Sequence, residues 1–186
     1  MRRVVTGHTP NGKSVFTSDE EAPRAVTLNH LAGLQLIDIW CTESLPKIPV
    51  EEGDPTLVMD SLVPGPDGTR FRIARYPPAH EVEKALGEDA DVGVVLSEVR
   101  EKLPGLAESY EAKDVKEALM RRMHTTDTVD YGIVISGEIC LELDDGAQVV
   151  LKQGDCVIQN GTHHAWINRG TEPCLMAFVM IGAQRR

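Results

Sequence analysis

Short apolar runs, separated by glycine and proline, set the pattern of this chain. In the run Thr69–Tyr76, Phe71 and Ile73 alternate with Arg70 and Arg72, and alternation with a period of two is typical of a β-strand. Gly- and Asp-rich turns between such runs indicate hairpins. Further runs of strand length predict an all-β domain, at Val4–Val5, Ser14–Phe16, Gly33–Trp40, Tyr131–Ile135, Ile139–Leu143, Val149–Leu151, Cys156–Ile158, His164–Asn168 and Cys174–Ile181.

The stretch from about residue 80 to residue 122 has a different, helical pattern. Asp91 is placed to cap a helix over Val92–Leu103, in which Val95 and Val99 form part of a narrow apolar stripe. A second helix is predicted to begin at Asp114. This stretch therefore reads as a helical insertion in a β domain.

The insertion divides a single predicted domain, 1–186, into N-terminal strands at 1–79 and a second group of strands at 123–181. Two interpretations of the insertion, at 80–122, stay open. It either covers one face of a sheet, or it forms a mobile lid over a pocket, held by little apolar area.

Charge and composition exclude several classes of partner. The chain has 186 residues with a formal net charge of −10, so it repels nucleic acid and anionic membrane surfaces. No apolar run approaches the roughly 20 residues that span a bilayer, and the basic start lacks the apolar stretch of a secretory signal. The four cysteines form no Cys-x-x-Cys pair, which favours buried free thiols and a cytoplasmic location.

Two segments carry residues that can bind a metal. His124, Thr126 and Asp130 share one parity, so an extended strand projects them to one face, and His164 lies on a second predicted strand. Two imidazoles and one carboxylate form the ligand set of a facial triad, which leaves positions open for water and substrate. Three ligands plus water also suit catalytic zinc, so Fe, Mn, Ni and Zn all remain candidates.

The same two segments resemble the paired motifs of the cupin superfamily. The first motif reads His-x-His, then an acidic residue, then Gly, and the second reads Gly-x-x-His-x-x-x-Asn. Thr126 stands where the second histidine is usual, and Asp130 replaces the usual glutamate. The resemblance implies a jelly-roll barrel, or double-stranded β-helix, with one divalent metal ion at His124, Asp130 and His164. The positions that match the motifs are His124, Asp130, Gly137, Gly161, His164 and Asn168.

Other residues are candidates for substrate contacts around such a metal. Asp130, Tyr131 and Gln159 are the candidate catalytic side chains. His163 has the parity of an outward residue, and Asp127 is a reserve ligand. Arg72 either holds a substrate carboxylate by paired donors or lies on a solvated strand edge. The predicted pocket is lined by Phe71, Ile73, Arg72, Thr126, Trp166 and Phe178.

These residues predict a metal-dependent enzyme that acts on a small carboxylate or an enolisable carbonyl compound. The metal would act as a Lewis acid in an isomerase, dehydratase or decarboxylase. An Fe(II)-dependent dioxygenase and a non-catalytic cupin that binds a small ligand are the alternatives, since one fold hosts many activities. The strand Cys174–Ile181 is apolar on both faces, which together with the resemblance predicts a homodimer.

Overall fold

The structure is a computed structural model that describes residues 1–50, 53–87, 89–105 and 122–186. No helix within these ranges is long and apolar enough to cross a membrane. The elements found there are β1 (Arg2–His8), β2 (Ser14–Glu21), β3 (Arg24–Leu28), β4 (Leu34–Thr42), β5 (Thr69–Tyr76), α1 (Ala79–Ala85), α2 (Val92–Lys102), β6 (Thr128–Ser136), β7 (Glu138–Glu142), β8 (Gln148–Lys152), β9 (Cys156–Gln159), β10 (Ala165–Ile167) and β11 (Cys174–Gly182).

Two antiparallel sheets build the body of the fold. The larger sheet has the strand order β3-β4-β5-β11-β6-β9, and the smaller has the order β10-β7-β8. Strands β1 and β2 form a separate hairpin. The predicted all-β fold, a double-stranded β-helix with a helical insertion, is confirmed, and β5 occupies the predicted range. The turn between β6 and β7 requires Gly137, whose φ of 78° is unfavourable for other residues.

The apolar core lies between the two sheets. Alternate residues of β6 and β11 face inward from the larger sheet, including Val134, Met176 and Phe178. Leu141 and Trp166 face them from the smaller sheet, and the Trp166 and Phe178 ring centroids are 5.4 Å apart. The predicted runs therefore give the strands that enclose this core, with one inward face on each, but no run predicts β3, at Arg24–Leu28.

On β5 the inward face is the polar one, which corrects the predicted orientation. Arg72 is buried, and its Nε donates to Asp38 Oδ1 at 2.8 Å. Arg70 is also buried and donates to the carbonyl oxygens of Ser61 and Thr42. Arg72 is therefore neither on a solvated edge nor available for a substrate carboxylate, because Asp38 on the neighbouring strand β4 supplies its carboxylate partner.

The first part of the insertion is firmly packed. Asp91 caps α2 as predicted, and Val95, Val99 and Leu103 are buried in the main core. The Glu98 carboxylate accepts hydrogen bonds from the Asn29 and His30 backbone and from Lys102 Nζ.

Residues 92–103 therefore cover the corner after β3 with the predicted apolar stripe, and the mobile lid stays a prediction. The helix predicted from Asp114 lies outside the described residues.

All four cysteines are free thiols, as the sequence predicts. Cys41, Cys140 and Cys174 are buried, but Cys156 is exposed, because it lies on the outward face of β9, the strand at one edge of the larger sheet. The expectation that all four are buried is therefore wrong for this one.

Candidate functional site

A short antiparallel bridge joins the two motif histidines. His124 precedes β6 and His164 precedes β10, and their backbones exchange N–H···O bonds of 2.9 and 3.0 Å. The two imidazole centroids lie 4.4 Å apart with an angle of 47° between the rings. The fold therefore brings together two histidines from segments that are distant in sequence.

Each of these imidazoles has its Nδ1 atom bonded to a backbone carbonyl oxygen. His124 Nδ1 lies 2.9 Å from the oxygen of Arg122, and His164 Nδ1 lies 2.8 Å from the oxygen of Thr162. A carbonyl oxygen only accepts, so Nδ1 carries the hydrogen in both rings, and the lone pair of each neutral ring is on Nε2.

The environment keeps both imidazoles neutral. Burial lowers the pKa of His164 to about 3, with a further contribution from the neighbouring His124. Burial also lowers the pKa of His124, against a hydrogen bond to Arg122 that raises it. The pair thus presents two uncharged nitrogen donors at neutral pH.

An aromatic wall continues from His164 into the barrel. The His164 and Trp166 rings meet edge to face with centroids 5.7 Å apart, and Trp166 in turn contacts Phe178. Trp166 and Phe178, both predicted pocket residues, are therefore inside the barrel, next to the histidine pair.

A polar row lies on the inward face of β6 and the residues just before it. The hydroxyl oxygens of Thr126 and Thr128 are 2.8 Å apart, and both residues are buried. Asp130 is also buried, and in the described part of the chain its Oδ1 has no hydrogen-bond partner. Burial raises the pKa of Asp130 to about 6, although the Thr128 hydroxyl and the Arg72 charge lower it.

The predicted set of three metal ligands is only partly brought together. His124 and His164 are adjacent, but across residues 1–50, 53–87, 89–105 and 122–186 no group of three His, Cys, Asp or Glu side chains is arranged to hold a metal ion. The backbone of Asp130, on the inward face of β6, pairs across the sheet with Gln159 and Met180. The structure thus places a histidine pair at the site and a buried carboxyl group on the inward face of β6.

Three other predicted site residues lie elsewhere. Phe71 and Tyr131 are 38 % and 49 % exposed on the outward face of the larger sheet. Ile73 is buried on that same face, outside the core cluster between the sheets. All three alternate with inward residues, so none lines the barrel interior beside Trp166.

Gln159 is buried and has a structural contact. Its Nε2 donates to the carbonyl oxygen of Thr162 at 3.1 Å and to the hydroxyl of Thr162 at 2.6 Å. Thr162 also accepts the Nδ1 bond of His164. Gln159 therefore holds the loop that orients His164.

Asn168, the last residue of the second motif, joins this region to the insertion. Its side-chain amide donates to the backbone carbonyl oxygens of Tyr76 and Glu172. Its backbone carbonyl oxygen accepts from the N–H of Ala79, the first residue of α1. It is fully buried. The second motif and the start of the insertion are thus held together by one asparagine.

The side chains of Asp127 and His163 each bond to another side chain of the described residues. The reserve ligand Asp127 accepts a 2.6 Å bond from Arg185 Nε. His163 bonds to Asp144 across the end of the β7–β10 pairing, at 2.7 Å. Sequence reasoning missed Arg185 because its partners, in the loops before β6 and β10, are distant along the chain and match no motif.

Comparison with known proteins shows which family the sequence around this site is similar to. The family model for the cupin domain matches residues 114–181. Two phomopsin biosynthesis cluster proteins of Diaporthe leptostromiformis, C' and D, are 44 % identical over 72 residues, which are 38 % of this chain and 38 % of each relative. The match thus spans less than half the length of these curated relatives.

A longer but weaker similarity covers most of the chain. The cupin-domain-containing oxidoreductase fogC of Aspergillus ruber is 26 % identical over 182 residues, 96 % of this chain and 71 % of the relative. Among solved structures, a putative ethanolamine utilization protein of Salmonella typhimurium is 9 % identical with a TM-score of 0.42, over 99 % of this chain and 98 % of that one.

Proposed function

Since this chain contains a cupin domain, we propose that it is a metal-dependent enzyme that acts on a small organic molecule inside its barrel. One observation carries the proposal, namely that His124 and His164 are adjacent with both Nδ1–H groups bonded to backbone carbonyls. Ligating histidines commonly have this outer hydrogen bond, which orients the ring and directs Nε2 at the metal. The pair fits a divalent ion as two of its ligands.

A bound divalent ion would supply Lewis acidity that polarises a carbonyl group of the substrate. Fe, Mn, Ni and Zn all accept imidazole ligands, so the donor set is compatible with each of them. With two protein ligands in the described residues, the remaining positions would be open to water and substrate.

Asp130 is the residue in the barrel interior best suited to exchange a proton with the substrate. Its buried carboxyl group has an oxygen with no partner among the described residues, and its raised pKa, about 6, lies close to neutral pH. Trp166 and Phe178 would bound the apolar part of the substrate. This arrangement favours isomerisation, dehydration or decarboxylation of a small carboxylate or enolisable carbonyl compound, without Tyr131, which faces outward.

Two alternatives have support of their own. The name of fogC and of two other relatives, cupin-domain-containing oxidoreductase, favours the Fe(II)-dependent dioxygenase. Thr126, whose hydroxyl is engaged by Thr128 where a second histidine is usual, favours a non-catalytic cupin that binds a small ligand. The metal content of the purified protein distinguishes these three functions. Iron supports oxygen chemistry, a redox-inert ion supports Lewis-acid chemistry, and absence of metal supports simple ligand binding.

Loss of either motif histidine is expected to weaken metal binding strongly while the fold persists. Removing an outer-shell partner already costs about 10–100-fold in affinity, so His124→Ala and His164→Ala should each weaken binding by on the order of 100-fold or more. Elemental analysis of the purified protein and titration of the apoprotein with Zn²⁺ and Fe²⁺ measure this, with circular dichroism as the check on folding.

The matched control is His163→Ala, which removes the neighbouring imidazole that bonds to Asp144. Its metal affinity should stay within a few-fold of the wild type. If both His124→Ala and His164→Ala retain a full equivalent of metal, the site is not at this pair and the proposal fails.

We also propose that the protein forms a homodimer through the outward face of the larger sheet. The register places Phe71, Val179, Tyr131 and Ile158 in one exposed row across β5, β11, β6 and β9. The row has no charged side chain, so two copies that each carry a net charge of −10 can approach there.

A charge within this face is expected to dissociate the dimer. Ile133 lies two residues after Tyr131 on β6, on the same exposed face, so Ile133→Lys buries an ammonium group in the proposed interface. Val150→Lys places the same charge at a similarly exposed position on the smaller sheet. Light scattering at micromolar concentration should show a dimer for the wild type and Val150→Lys, and a monomer for Ile133→Lys. A monomeric wild type contradicts the proposal.

A further inference from the structure

The segment that follows β11 crosses the two loops that carry the motif histidines. It is anchored where the Gly182 N–H donates to the carbonyl oxygen of Gly68 at 2.9 Å. The next N–H, of Ala183, donates to the carbonyl oxygen of Asp127 at 2.8 Å. The backbone thus directs the following residues across the loop 125–127, which leads from His124 into β6.

Arg185 contacts both loops with one guanidinium group. Its Nε donates to Asp127 Oδ1 at 2.6 Å, and its Nη2 lies 3.4 Å from each of the carbonyl oxygens of Thr126 and Gly161. Thr126 and Asp127 follow His124, and Gly161 precedes His164. A planar guanidinium is suited to this role because it offers several donors in a fixed geometry, whereas an ammonium is a single point charge.

The two loops have little room to move relative to one another. Gly161 has a φ of 58°, and a Cβ there would lie 3.1 Å from the oxygen of Thr126 and 3.2 Å from the oxygen of Thr128. A pocket of about 180 Å³ remains between these loops and the segment after β11, with Asn160, Gln184 and Arg185 in its lining. The loops thus meet through backbone contacts that a modest shift would disturb.

We propose that Arg185 is a positioning residue that sets the approach of the loops carrying His124 and His164. The backbone bridge joins the loops at the histidines themselves, and Arg185 joins them a few residues away, at Thr126 and Gly161. Together the two connections fix the relative orientation of the imidazoles. Asp127 accepts the hydrogen bond that orients the Arg185 guanidinium, so in this proposal it stabilises Arg185 and is not a reserve metal ligand.

The effect of Arg185 should be local and modest, because its side chain is about half exposed and solvent screens its ion pair. In Arg185→Ala, the amide hydrogens of His124 and His164 should exchange about 2- to 5-fold faster than in the wild type. The imidazole ¹⁵N resonances of both histidines should shift as well, because the ring orientation changes.

The experiment uses the full chain without metal and follows amide exchange and imidazole resonances by NMR. Arg186→Ala is the matched control, since it removes the same side chain and charge one position later, and it should match the wild type. Arg185→Lys keeps the charge without the fixed donors and should recover only part of the protection. The metal-free readout makes the result independent of whether the histidines bind a metal.

Two results would overturn the proposal. One is wild-type exchange and unchanged imidazole resonances in Arg185→Ala. The other is equally faster exchange at the β7–β8 amides, because that would show a general loss of stability instead of a local role at the histidine loops.

Discussion

Arg72→Met is expected to lower the free energy of unfolding by about 3–5 kcal/mol, the usual cost of leaving one member of a buried ion pair without its partner. Arg72 and Asp38 are almost fully buried, and Arg72 Nη2 lies 2.7 Å from Asp38 Oδ1. The substitution also removes the donor to the carbonyl oxygen of Leu62. Arg24, at 3.4 Å from the other Asp38 oxygen, compensates only in part.

Urea denaturation followed by circular dichroism measures this loss. Arg75→Met is the control, since Arg75 is on the same strand but faces outward and is only partly buried, and it should cost less than about 1 kcal/mol. The double variant Asp38→Leu with Arg72→Met should recover most of the loss, because it removes the buried Asp38 carboxylate together with its partner. A loss below about 1 kcal/mol in Arg72→Met would contradict a buried ion pair here.

Glu98→Gln is the second substitution with a large expected effect, a loss of about 2–3 kcal/mol at neutral pH. Glu98 fixes α2 to the corner after β3 by accepting from two backbone N–H groups and from Lys102. A glutamine side chain has the same shape but lacks the charge that strengthens these hydrogen bonds. Its NH₂ group would also face groups that are themselves donors. Glu101→Gln, at an exposed position of the same helix, should be close to neutral.

The loss should also depend on pH in a defined direction. Burial raises the pKa of Glu98, but the Lys102, His30 and Asn29 hydrogen bonds outweigh burial and lower it to about 2, from an ordinary value of 4.5. A lowered pKa gives stability that is complete above pH 4.5 and disappears as the pH falls towards 2. The difference between wild type and Glu98→Gln should therefore shrink across that interval, and a constant difference would exclude this cause.

Most of the strands were predictable because most of them alternate locally, but the choice of inward face on β5 was not. The sequence predicts Phe71 and Ile73 inside because they are apolar, and it leaves Arg72 open between a substrate contact and a solvated strand edge. The structure reverses this, because Asp38 on β4 supplies a partner for Arg72 inside the barrel. Local patterns contain no information about partners on another strand, so buried ion pairs are where such reasoning fails.

The histidine pair was predictable because both residues sit in spaced motifs. That no third ligand is grouped with the pair among the described residues was not, since common parity places residues on one face without fixing how far along the strand they lie. The insertion shows the same limit, because the narrow stripe of Val95 and Val99 predicts only part of its attachment. The attachment depends on Glu98, a charged residue whose acceptor role needs the Asn29 and His30 backbone.

The position of β11 between β5 and β6 has a consequence for how the chain folds. Cys174 pairs with Tyr76, so the centre of the larger sheet closes only after a long intervening chain has been synthesised. Pairings of such high contact order form slowly, and until then β5 has a free edge on the ribosome-bound chain. Nascent protein should therefore depend on chaperones at this edge, and the matched segment 114–181 alone, which lacks β5, should aggregate instead of folding.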